Sequence, residues 1–189
     1  MSSMNDDKEL IRRTLQGEKE AFEMLITKYQ NSLLTYIGRM VSSREMALDF
    51  TQDIFIKTYI NLHTYRAQYK FSTWLFKIAS NTMIDYWRKK KLDTFSIDQR
   101  PKDDERPQFQ LPDDEVSIED RYELAQIRGK IEDILAFLPH AHRELFVLRH
   151  INEFSYEEIA EIKNIPVGTV KNRVFQIKET IRKKLEKDT

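Results

Sequence analysis

The 189-residue chain contains no cysteine. That excludes a disulfide framework, a thiolate metal site and a cysteine nucleophile. Glycine and proline are scarce, at four and five residues, so long helices with short connections are expected. No apolar run reaches membrane-spanning length. The first residues, MSSMNDDKEL, lack the basic and apolar regions of a secretory leader. A cytoplasmic protein without direct membrane insertion is the expectation. Histidines are few: His140 and His142 stand close together and His150 lies further on. They read as helix-start and surface residues rather than metal ligands. No Gly-rich phosphate loop and no Ser/His/Asp spacing is present. Catalysis, a metal, a cofactor and a small-molecule substrate are therefore not expected.

Net charge is missing as well, which argues against a nucleic-acid binder until the distribution is read. Residues 1–92 hold 15 Lys/Arg against 10 Asp/Glu, a surplus of +5. Residues 93–118 hold 3 against 8, or −5. Residues 163–187 hold 8 against 2, or +6. Two basic regions thus flank an acidic segment.

What the chain does have is helical periodicity. Asp6–Gln16 reads as a short helix ended by Gly17. Lys19–Met40 and Arg44–Asn61 follow, with apolar residues recurring at threes and fours. His63–Lys70 has no clear period and reads as a loop. Phe71–Lys91 is a helix with Ser72 or Thr73 at its cap and a basic run, Arg88 to Lys91, at its end. Its aromatics exceed one packing stripe, which suits base stacking and phosphate neutralisation as well as a core. Leu92–Glu115 holds three of the five prolines and the cluster Asp103-Asp104-Glu105. It reads as an extended acidic linker. Helices resume over Val116–Leu138, stopped by Pro139, and over Ala141–Ile151. The last helix begins near Thr169, with Val170, Val174, Ile177 and Ile181 facing inward. The fold class is all-α: an N-terminal helical domain (1–92), a flexible acidic linker (93–117) and a four-helix domain (118–189). The two domains are expected to move independently without partners.

Two local patterns point outward from this frame. Ser155-Tyr156-Glu157-Glu158 forms a capping box. With the turn Ile165-Pro166-Val167-Gly168 and the final helix, it describes a helix-turn-helix, whose second helix would lie in the DNA major groove. The exposed positions Thr169, Lys171, Asn172, Arg173, Gln176 and Lys178 carry amides and cations but no carboxylate. The third helix places Asp49, Gln52, Asp53 and Ile56 three to four apart on one face. That is either a solvated face or a protein-docking site.

In order and spacing these residues resemble the extracytoplasmic-function sigma factors, small two-domain specificity subunits of bacterial RNA polymerase. The resemblance covers nearly the whole chain. It rests on Gln16-Gly17 with Ala21-Phe22, on Asp49 through Tyr59, on Phe71-Ser72-Thr73-Trp74-Leu75 with Ile78-Ala79-x-Asn81 and Asp85-x-x-Arg88, on Leu138-Pro139, on Ser155-x-x-Glu158-Ile159-Ala160, and on Pro166-x-Gly168-Thr169-Val170-Lys171-x-Arg173. It implies core polymerase (its largest and second-largest subunits), promoter DNA and an anti-sigma factor as partners. Asp49, Gln52, Asp53, Phe55 and Ile56 would dock on the clamp helices of the largest subunit. Tyr65, Arg66, Tyr69, Lys70, Phe71, Trp74, Asn81, Arg88 and Lys89 would meet the minus-ten element, where a base is flipped from the melted strand. Asp85 and Arg88 are also spaced to pair with each other. The helix-turn-helix would read the minus-thirty-five duplex. The acidic linker would thread toward the polymerase active site. One departure stands out: the family's usual arginines are replaced by Gln176 and Lys178, which changes the bases that can be read.

Two other readings compete. A free-standing helix-turn-helix regulator would bind duplex operators as a dimer. A helical adaptor would show no salt-dependent DNA affinity. Trp74 and Trp87 fit either a core or a contact.

Overall fold

A computed structural model describes residues 2–96 and 129–187. Every regular element among them is helical. The first body contains α1 (Ser2–Leu15), α2 (Lys19–Gly38), α3 (Arg44–Asn61), a 3₁₀ turn (Leu62–Thr64) and α4 (Phe71–Ser96). Leu25, Leu33, Ile37, Ile54, Leu75 and Ala79 fill its core. A buried carboxylate ties α1 to α2: Asp7 accepts from Lys28 Nζ and from Tyr29 Oη, both at 2.5 Å. Gly17, at φ +94°, makes the turn between these helices, a left-handed conformation that glycine adopts without a Cβ clash. Ser43 caps α3 by accepting the Met46 N–H at 3.1 Å.

Helix α4 starts at Phe71 as expected but continues to Ser96, past the expected end at Lys91. Its cap differs too. Ser72 and Thr73 lie inside the helix, and the Lys70 carbonyl accepts the first-turn N–H of Trp74 at 3.2 Å. The basic run is therefore carried along a continuous helix, not placed at a terminus. The rest of the acidic segment, and the start of the helix expected from Val116, lie outside the described residues.

The second body contains α5 (residues 129–136), α6 (His140–Phe146), a wider π-type turn (Val147–Ile151), α7 (Tyr156–Lys163) and α8 (Val167–Lys187). The helix expected over Ala141–Ile151 is thus divided, and Asn152 N–H reaches back to the Val147 carbonyl at 3.0 Å. Arg143 holds α5 to α6. It is buried, and its guanidinium donates to the carbonyls of Leu135 at 2.8 Å and Ala136 at 2.5 Å. Both carbonyls lie at a helix end, where the Leu135 oxygen also accepts from the Leu138 N–H at 3.1 Å. The capping box forms as read: Glu158 N–H donates to Ser155 Oγ at 3.1 Å, and Ser155 N–H donates to Glu158 Oε2 at 2.8 Å.

The turn after α7 lies earlier than the expected Ile165–Gly168, and α8 starts two residues before the expected Thr169. Asn164, at φ 52°, takes the left-handed conformation, and α8 already begins at Val167. The Pro166 carbonyl accepts from Thr169 and Val170 at 2.9 and 3.2 Å. Proline suits that place because its missing N–H would have had no helical partner. Gly168 sits in the first turn of α8, where an added Cβ would meet nothing within 4 Å.

The two bodies do not stand apart, contrary to the expectation of independent motion. Helix α7 packs along α4, and the π-type turn rests on α2. Phe76 meets Phe154 edge to face at 4.7 Å, and Trp87 stacks on His140 at 3.5 Å. Periodicity alone assigns each apolar stripe to its own body. Phe76 is an additional apolar residue on α4, and it is covered by the other body.

Candidate nucleic-acid and protein-docking interfaces

Helix α3 divides by face. Ala47, Thr51, Ile54, Phe55 and Thr58 are buried, which leaves Asp49, Gln52, Asp53 and Ile56 outward. Ile56 is 57% exposed, and Tyr59 and Ile60 extend the apolar end of this face. Asp49, Gln52 and Asp53 have no side-chain partner among the described residues. An acidic stripe with an exposed apolar end suits a partner that is basic along one edge and apolar at the other. Phe55 departs from this picture. At 6% exposure it lies in the core, so it shapes the face from beneath.

The loop before α4 is more ordered than its lack of period suggests. Leu62 is buried within the 3₁₀ turn, and Tyr65 Oη donates to the Tyr69 carbonyl at 2.6 Å. Tyr65, Phe71 and Trp74 form a ring cluster with centroids 5.6 to 5.9 Å apart. Within it, Phe71 is 1% exposed and cannot present a face to a base. Tyr65 and Trp74 are half-buried, while Arg66, Tyr69, Lys70 and Asn81 are exposed. Arg88 pairs with Asp85 at 2.9 Å on the exposed side, as the spacing suggested. Lys89 is exposed beside it. Trp87 is half-buried against His140 rather than turned to solvent. We expect Trp74→Ala to cost roughly 1–2 kcal/mol, below the roughly 3–5 kcal/mol of a fully buried ring. A thermal melt reads this cost. A larger loss would place the ring in the core alone.

Helix α8 buries Val170, Val174, Ile177 and Ile181. Lys171, Asn172, Arg173, Gln176 and Lys178 are exposed, and Thr169 is half-buried. Lys171 lies 5.8 Å from the Tyr156 ring centroid and 4.0 Å from Glu157, so α7 steadies it. Burial holds the His150 imidazole below its ordinary pKa, and the charges of Lys178 and Arg149 add to this. Phe175 was missed as a surface residue. It is 64% exposed, beside Lys171 and Asn172 on the helix. The signal for it was present, because 175 falls off the stripe of 170, 174, 177 and 181. An exposed ring among amides and cations adds an apolar contact of the kind a thymine methyl accepts.

The groove between α1 and α2, about 850 Å³, is lined by Asp6, Glu9, Glu20 and Glu23 and would repel a phosphate backbone. Among the described residues no His/Cys/Asp/Glu group is placed to hold a metal ion. No described helix is long and apolar enough to cross a membrane.

An all-helical protein with a helix-turn-helix in one body and an acidic docking stripe with an aromatic loop in the other defines a class of DNA-binding transcription factors. Comparison with known proteins narrows the class. Residues 25–92 match the family model for sigma-70 region 2, and residues 128–181 match that for sigma-70 region 4. The chain is 35% identical to the ECF RNA polymerase sigma factor SigW of Bacillus subtilis, over 94% of this chain and 96% of that one. Two solved structures share its fold. One is CnrH in complex with the cytosolic domain of CnrY, with a TM-score of 0.70 and 22% identity over 97% of this chain and 99% of that one. The other is the sigma factor RpoE in complex with the anti-sigma factor NepR from Bartonella quintana, with a TM-score of 0.68 and 21% identity over 89% and 98%. The chain belongs to the ECF RNA polymerase sigma factors. It is a transcription initiation factor that directs core RNA polymerase to promoters.

Proposed function

We propose that the two bodies divide this work. Residues 1–92 dock on core polymerase and open the minus-ten element, residues 118–189 read the minus-thirty-five element, and the acidic stretch 93–117 joins them within the polymerase. Docking falls to Asp49, Gln52, Asp53 and Ile56 on α3, with Phe55 supporting them from below. The observation that carries this reading is the pairing of two outward surfaces of opposite character. One is the acidic stripe on α3, without side-chain partners among the described residues, which suits a protein. The other is the carboxylate-free run 169–178 on α8, which suits DNA. Arg66, Tyr69, Lys70, Asn81 and Lys89 offer cations and hydrogen-bond donors around the Tyr65–Trp74 ring pair for an unstacked base. Phe71 supports those rings, and Arg88 meets DNA only by leaving Asp85. The protein acts by binding rather than catalysis, in the cytoplasm. An anti-sigma factor holds it inactive, a reading supported by RpoE having been solved with one.

Purified protein added to core polymerase is expected to give specific run-off transcripts from genomic DNA. A stable dimer that binds duplex operators without polymerase, and gives no transcript, would instead identify a free-standing regulator. The base-reading surface has its own test. In the reconstituted holoenzyme, Arg173→Ala is expected to lose about 1–3 kcal/mol on the preferred minus-thirty-five sequence and to relax its specificity. Lys178→Ala is expected to weaken all sequences alike and to lower the salt slope by about one. Binding isotherms over a range of salt separate the two outcomes.

A further inference from the structure

The groove between α1 and α2 carries none of the residues assigned to promoter reading or to polymerase docking. Leu10, nearly buried, and Met24, 54% exposed, give it an apolar lining. Four carboxylates surround them: Asp6 and Glu9 from α1, Glu20 and Glu23 from α2. Glu9 is matched by Arg12 at 2.6 Å. The cation in the lining, Lys28, is held by the buried Asp7 at 2.5 Å and does not neutralise the rim. Asp6, Glu20 and Glu23 make no side-chain hydrogen bond or ion pair among the described residues.

Each half of this surface is unfavourable by itself. Glu20 and Glu23 sit one turn apart on α2, where like charges weaken a helix. Met24 exposes a thioether to water, and methionine adapts readily to apolar partners of varied shape. A ligand that relieves both must carry cations along the edges of an apolar face. A basic amphipathic helix does so, with its apolar stripe in the groove and its Lys or Arg side chains at the rim. A small polycation would meet only the carboxylates, and an uncharged apolar peptide only Leu10 and Met24. On α2 the lining runs from Glu20 to Lys28, about 12 Å at 1.5 Å per residue, or about two turns of a helix laid alongside.

The lining comes from α1 and α2 alone. The stripe on α3, the loop 63–70 and the outward face of α8 contribute nothing to it. An occupant therefore adds to polymerase and promoter instead of competing with them.

We propose that this groove docks a basic amphipathic helix of a regulatory protein, and that it stays open when the chain is bound to core polymerase. Occupancy of the groove is independent of how the two bodies divide their work, while its staying open rests on docking through α3. The probe is a peptide of about 14 residues built of Leu and Lys, with leucines at every third and fourth position. An all-Lys peptide of the same length supplies charge without an apolar face. Binding to the full chain is followed by the ¹³C-methyl signals of methionine, with Met24→Leu assigning the one at the groove. The Met24 methyl is expected to move, while those of the buried Met40 and Met83 stay in place. The all-Lys peptide is expected to bind at least tenfold more weakly. Glu20→Gln with Glu23→Gln, and separately Met24→Gln, are each expected to weaken the Leu/Lys peptide at least tenfold. Circular-dichroism melts and run-off transcription without peptide should be unchanged in these variants, because the side chains are exposed and lie outside the docking and DNA surfaces. Equal affinity for the two peptides, or a Met24 methyl that does not move, overturns the groove as a helix site. Movement of that methyl with protein concentration alone would give the groove to a second copy of the chain and overturns it as well. The titration is repeated on the holoenzyme. Retained binding supports a partner that acts beside polymerase. Binding to the free chain that core polymerase abolishes overturns the open groove, and it moves part of the docking surface from α3 onto α1 and α2.

Discussion

Asp53→Arg is expected to weaken association with core polymerase about a hundred-fold, or roughly 2.7 kcal/mol. Reversal does more than delete one favourable charge. On the proposed docking reading it sets a cation against a basic partner surface, and like charges in contact cost several kcal/mol. The side chain is outward on α3 and has no partner in the described residues, so the fold should not notice the change. Thermal stability is expected to stay within about 0.5 kcal/mol of the parent. Binding of the second body to a minus-thirty-five duplex should also be unaffected. Surface association with immobilised core polymerase at two salt concentrations measures the loss, which should fall as salt screens the contact. Equal loss of polymerase binding and of stability would show that Asp53 supports the fold instead.

Arg143→Ala is expected to destabilise the second body by about 3–5 kcal/mol. The buried guanidinium donates to two helix-end carbonyls, and a third contact reaches the Leu138 carbonyl at 3.5 Å. Truncation leaves those carbonyls without the donor and opens a cavity as well. Arg143→Lys should recover only part of the loss, because an ammonium group cannot span several carbonyls as a planar fork does. A denaturant titration should show the second body unfolding early while the first remains intact, so polymerase docking survives and minus-thirty-five recognition is lost. A simultaneous, equally shifted transition of both bodies would show that contact with α4 and α2 makes the protein one cooperative unit.

The helices were legible where a single apolar stripe had to meet a core. Val170, Val174, Ile177 and Ile181 are all buried, as their spacing required. The capping box was legible because its two hydrogen bonds depend on residues only three apart. Turn chemistry was less so. The spacing predicts a turn over Ile165–Gly168, but Asn164 occupies the left-handed region, which its short polar side chain tolerates. The face of α3 could be drawn from spacing, while the burial of Phe55 and Phe71 could not. An aromatic residue beside a polar stripe fits surface and core equally well in sequence. Contact between the bodies was not legible at all. Glu144 lies in a short helix with no polar pattern around it, and its partners Tyr36 and Lys163 are far away in sequence. Such long-range pairing leaves no periodic trace.

The overrun of α4 changes the mechanics of the connection. At 1.5 Å per residue its 26 residues form a rod about 39 Å long. The loop 63–70 enters at one end, and the chain leaves for the second body at the other. Whatever separation the two bodies reach, a stiff rod supplies part of it and the chain beyond supplies the rest. The direction of the rod is set by the core of the first body, so the chain beyond Ser96 starts from a fixed point far from the loop 63–70.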